Sequence, residues 1–138
     1  MKSLLVIPLI VASVFGIALI AMSLAGFATN AEEAVTAGII SAAAGMIGLL
    51  PVLRARRVDL VAAAQAALAG TVLHLMTQVA LAAGVIVCHR RGIAFANLNV
   101  RGTFALWLLV GYWTSLAALA WQLRRIILGV THTAKVTE

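Results

Sequence analysis

Four long stretches almost free of charge, separated by short clusters rich in arginine, constrain this chain more than any other feature. A bilayer excludes charge from its hydrocarbon interior and collects it at the ends of spans, whereas a water-facing surface scatters it. Composition points the same way: 64% of the 138 residues are hydrophobic and 10% charged, against about half and about a quarter in soluble domains. No core of this size hides so much apolar side chain, so the surplus belongs against lipid. The fold class expected is all-α, an integral membrane four-helix bundle.

The first run, Leu4 to Ala25, is about 22 residues and reaches about 33 Å, enough for a hydrocarbon core about 30 Å thick. Pro8 falls near its start, where a missing N–H does least harm. Lys2 followed by an apolar stretch also resembles a secretory leader, but the run exceeds the usual h-region and Ala28 to Ala31 match a cleavage site poorly. It is expected to stay as a span.

The second run, Ala34 to Leu53, follows a polar turn with Asn30, Glu32 and Glu33 and ends on Pro51 and the cluster Arg54, Arg56, Arg57, beside which Asp59 can pair. The third, Leu60 to Cys88, is longer than a perpendicular span needs, which implies tilt or projection into the head groups. His89, Arg90 and Arg91 close it, and Gly92 to Arg101 reads as an interfacial loop. The fourth run, Gly102 to Leu123, ends on Arg124 and Arg125. The expected layout is one transmembrane domain over 1–128, with helices about 4–25, 34–53, 60–88 and 102–123, and a polar, mobile tail over 129–138.

Counting basic residues near the span ends gives orientation. With the N-terminus inside, the cytoplasmic face gathers Lys2, Arg54, Arg56, Arg57, Arg124, Arg125 and Lys135 against Arg90, Arg91 and Arg101 outside. This favours both termini inside, and the location expected is the cell inner membrane, crossed several times. The basic third loop is the dissenting feature. Because the arginines sit at helix ends as topology and head-group anchors, the net charge of +6 does not indicate a nucleic-acid partner.

Helices in lipid need close van der Waals contact, which small residues permit. Ala37, Ser41 and Gly45 recur every four residues on the second helix, with Gly38, Ala42 and Gly48 beside them, and Ala62, Ala66 and Gly70 do the same on the third. These two helices are expected to pair as a hairpin. Ala12 with Gly16, and Gly111 with Ser115, offer similar pairs on the first and fourth, and such stripes also allow a homo-oligomer.

An ionisable group at mid-depth is costly and calls for a reason. His74 is the candidate, sharing a face with Gly70, Gln78 and, less closely, Thr71 and Thr77. It can relay a proton, bind a metal or meet a partner subunit; the plainer reading is a hydrogen bond across the bundle. Gln65, Gln78 and Gln122 read as interhelical glue or as the lining of a polar path. No second histidine lies within another expected span, so haem ligation and a metal site lack ligands. The lone Cys88 has no ligand or disulfide spacing. Trp107, Tyr112, Trp113 and Trp121 suit helix packing and an interfacial belt. With no nucleophile and base, phosphate loop or paired carboxylates within the spans, neither an enzyme nor a cofactor is expected.

The arrangement resembles the ATP synthase I chain family, small four-helix membrane proteins associated with assembly of the rotary ATP synthase. Members commonly show a small-residue-rich second helix running into a Leu-Pro pair and then basic residues; here this reads Gly45-Met-Ile-Gly48-Leu-Leu50-Pro51, then Arg54, Arg56 and Arg57. Their third helix often carries a glycine, a glutamate and a lysine as G-E-x-x-K, where this chain has Gly70, Thr71 and His74. The similarity covers roughly residues 5 to 127. It implies a non-catalytic accessory protein that binds the membrane sector of the synthase and helps the c ring assemble, with Gly70, Thr71, His74 and Gln78 as candidates for the contact. The alternative is a small oligomeric transporter or channel with a polar path at His74, Gln65 and Gln78.

Overall fold

The computed structural model describes residues 2–26, 30–55, 60–95 and 102–134. It is all-α: α1 (Lys2–Leu24), α2 (Ala31–Ala55), α3 (Leu60–Arg90) and α4 (Thr103–Ala134), each long and apolar enough to cross a membrane. Outward side chains are greasy, with Leu9, Ile17, Ile20, Leu68, Val72 and Met76 all more than half exposed.

The helix ends follow local capping chemistry. Asn30 caps α2: its Oδ1 accepts the Glu32 N–H at 3.1 Å and its amide reaches Glu33 Oε1 at 3.3 Å. This carries the helix back from the expected Ala34 to Ala31 and puts two carboxylates in a first turn whose dipole favours them. At the end of α3, Gly92 adopts φ +66, its N–H donates to His89 O at 3.0 Å, and Ile93 N–H donates to Cys88 O at 3.1 Å. These two bonds form a Schellman motif, which needs a left-handed residue and finds glycine.

Pro8 is not in the opening turn, because α1 begins at Lys2; it removes one donor from the ladder inside the helix instead. At the other end of the chain, α4 runs through the segment read as a tail and takes in Gly129 and His132. One glycine costs a helix about 1 kcal/mol relative to alanine, which does not stop it, and no proline intervenes. The rest of the expected tail, 135–138, lies outside the described residues, as do Arg56, Arg57, Asp59, Arg101 and most of the third loop.

The bundle is organised around α2, which packs on all three other helices, while α1 and α3 do not meet among the described residues and α3 touches α4 sparingly. Half of the membrane-length window of α2 is buried, against 11% for α3. The apolar core joins Ile7, Val11 and Phe15 of α1 and Ile40, Leu49 and Val52 of α2 to Phe104, Trp107 and Leu119 of α4. Phe15 and Trp107 lean on one another with ring centroids 5.3 Å apart. Among the described residues α3 supplies no fully buried apolar side chain; what it buries is Gly70, His74 and Gln78.

Candidate functional site: a polar seam between three helices

Backbone proximity comes first. A Cβ added to Gly48 would stand 2.8 Å from both the Gly70 carbonyl oxygen and His74 Cβ, and one added to Gly70 would strike the Gly48 carbonyl. The α2–α3 pair therefore closes on glycine against glycine, and His74 lies directly over Gly48. The stripe Ala37, Ser41, Gly45 has another use. Gly45 faces Ile7 and Ser115, and Ser41 fills the space where Gly111 has no side chain. α2 and α4 run parallel with a constant offset between partners: Glu33 with Thr103, Ser41 with Gly111, Gly45 with Ser115. Ala62 and Ala66 are only half-buried. On α1, Ala12 and Gly16 are exposed, with nothing within 4 Å of a Cβ built on Gly16.

Polar side chains sit in the space these small residues leave. His74, fully buried, places Nε2 2.8 Å from Ser115 Oγ, while the Ser115 hydroxyl donates to Tyr112 O at 3.1 Å. With that proton committed, the tautomer that fits both bonds carries hydrogen on Nε2 and donates it to Ser115. The His74 ring lies nearly parallel to the Tyr112 ring, centroids 5.4 Å apart and planes inclined by 14°. One turn along α3, the Gln78 amide nitrogen donates to Ser41 Oγ at 3.3 Å and to Leu108 O at 3.1 Å. Thus α3 is tied to α2 through Ser41 and to α4 through Ser115 and Leu108.

Two atoms of this seam are buried without a hydrogen-bond partner: His74 Nδ1 and Gln78 Oε1. Both are acceptors in the tautomer above, and they belong to residues four apart on one helical face.

Of the residues singled out in the sequence, Gly70, His74 and Gln78 come together. Thr71 does not join them, since its hydroxyl returns to Ala67 O on its own helix at 3.0 Å. Gln65 is exposed, so a polar path through Gln65, His74 and Gln78 is not continuous within one chain. His74 and Gln78 are turned inward and are not presented to a neighbouring subunit. Trp113 is 62% exposed, so helix packing does not account for it, whereas Trp107 is buried in the core. Trp121 carries the Arg125 guanidinium 4.1 Å above its ring, and the exposed Arg54 and Arg124 belong to the same end of the bundle.

Two further ties were not read from the sequence. Ser115, in the sequence a small residue paired with Gly111, is the partner of His74. Glu33, with 1% exposure, accepts hydrogen bonds from Asn30 and from the Thr103 hydroxyl, linking the N-termini of α2 and α4. The capping spacing Asn30-x-x-Glu33 was the available signal for the first of these bonds. Among the described residues no group of three or more His, Cys, Asp or Glu gathers as a metal site. No family model, no curated protein and no solved structure matches the chain.

Proposed function

We propose that this chain is a non-catalytic accessory or assembly protein, crossing the cell inner membrane four times with both termini in the cytoplasm, whose task is to hold other helical membrane subunits. The layout resemblance names the partner as the membrane sector of ATP synthase and the task as assembly of its c ring. The observation that carries the reading is the division of labour on α3. Its buried polar groups are spent on helices of the same chain, while the rest of a 31-residue helix presents Leu68, Val72, Met76 and Val79 outward. A helix attached to its own bundle along one narrow stripe has most of its circumference available for a neighbour. The basic clusters support the orientation, since Arg54, Arg124 and Arg125 share one end.

Affinity purification of the full chain from membranes in mild detergent, followed by mass spectrometry, is expected to recover subunits of the synthase membrane sector. Replacing Val72 and Met76 by tryptophan, on the outward face, should lower that recovery several-fold. A chain that purifies alone, or with unrelated partners, overturns the assignment.

A further inference from the structure

The seam at His74 carries an inference that goes beyond partner binding. Two buried acceptors without donors, His74 Nδ1 and Gln78 Oε1, lie on the same face one helical turn apart. An unsatisfied buried polar atom is costly, and two in one place need a common account. Both atoms need a donor, and close by the helices meet with Gly48 against His74 Cβ and Gly111 against Ser41.

We propose that His74 and Gln78 form a single-proton binding site. A proton from bulk water adds to Nδ1, the neutral imidazole becomes imidazolium, and no other covalent bond forms or breaks within the protein. Nδ1 changes from an acceptor without a donor into a donor, and Gln78 Oε1 is the acceptor within one turn that has no other partner. Nε2–H keeps Ser115, now as a charge-assisted bond of greater strength.

Burial disfavours a charged imidazole, and what can offset it at His74 is its immediate neighbours. The Tyr112 ring stacks on the imidazole at 5.4 Å, within the range at which an aromatic face attracts positive charge. α4 offers the His74 ring Tyr112 and Ser115, α2 brings Gly48 against its Cβ, and one turn away Gln78 of α3 meets Ser41 of α2. Tyr112 is thus the titratable side chain in contact with His74 among the described residues. Glu33 is at the opposite end of the α2–α4 pair with Thr103, and Arg54, Arg124 and Arg125 are exposed at the other end. The seam therefore binds its proton through hydrogen bonds and the aromatic face, without a counter-charge. Because His74 and Gln78 hydrogen-bond α3 to α4, proton uptake acts on a junction at which, among the described residues, the two helices touch only sparingly.

The test is nitrogen NMR of the histidine rings in the full chain held in phospholipid nanodiscs, titrated from neutral to acid pH, with the His89 and His132 signals identified by single substitutions. At neutral pH, His74 is expected as the Nε2–H tautomer with a bare Nδ1. On acidification Nδ1 should gain a proton reversibly, and the Gln78 side-chain amide should shift with the same midpoint. In Gln78→Met the ring should take up its proton about tenfold more weakly, a shift of about one pH unit. The unsubstituted chain alone decides the matter if that variant fails to fold. A His74 ring that stays neutral until the fold is lost, that rests as the Nδ1–H tautomer, or that titrates with no response at Gln78 overturns the proposal.

Discussion

Gly48, Gly70 and Gly111 do work that no larger residue can do, and each is matched to a specific neighbour. The consequence is a sharp contrast between glycines of the same helix. Gly70→Ala drives a methyl into the Gly48 carbonyl and should cost about 1–3 kcal/mol as the helices part. Gly84→Ala, with open space around it, should change stability by no more than about 0.5 kcal/mol. Unfolding in graded sodium dodecyl sulfate mixtures, followed by circular dichroism, separates the two, and equal effects would refute the close approach. Ser115→Ala leaves the His74 Nε2–H without its acceptor; interhelical hydrogen bonds of this kind average about 0.6 kcal/mol and reach about 1.7. The same denaturation series should place the Ser115→Ala loss in that interval.

At the scale of elements, α3 is the helix whose attachment differs in kind. α1, α2 and α4 share an aromatic and aliphatic core, whereas α3 lies along α2 and brings to that core only partly buried apolar side chains, Ala66, Val85 and Ile86, beside its glycine contact and hydrogen bonds. In a denaturant titration, a spectroscopic probe on α3 should lose its native signal before probes on α2 or α4. Simultaneous loss would show that the seam is as strong as the apolar core. The loop after α3 is pinned by its own chemistry. His89 Nδ1 lies 2.7 Å from Phe95 O, and Phe95, although not glycine, holds φ +64. A left-handed backbone costs an ordinary residue about 1–2 kcal/mol, so the contact must offset it. His89→Ala should therefore release the loop, and trypsin should cut at the exposed Arg90 and Arg91 faster than in the unsubstituted chain. An unchanged cleavage rate would mean that the ring does not hold the loop.

The whole molecule is a bundle with one central helix, α2, and two flanking helices, α1 and α3, that do not touch each other among the described residues. Such an arrangement leaves broad outer faces on α1 and α3, and it places the polar seam on the inner side of α3. A proton taken up at the seam and a subunit bound on the outer face would thus act on opposite sides of the same helix. If both occur, the binding of one changes the affinity for the other through the position of α3, and linkage requires the effect to be mutual. Orientation is a separate matter, checked by reporter fusions at each terminus: both should report the cytoplasmic side, and opposite sides would refute the charge count.

The linear pattern determined the number of helices, their class and their approximate limits, because exclusion of charge from hydrocarbon and the rise per residue act on the chain locally. Where limits moved, as at Asn30 and beyond Leu123, the cause was a capping side chain or the lack of any residue that stops a helix. His74 and Gln78 were also legible, since four-residue spacing puts them on one face of α3 in any fold. Their partners were not. Ser41, Leu108 and Ser115 are separated from them by 30 to 41 positions, and nothing in a stripe of alanines, serines and glycines says which neighbouring helix it meets. That choice depends on how closely two backbones approach and in what register, and only the packed bundle, through Gly48 on Gly70 and Ser41 on Gly111, decides it.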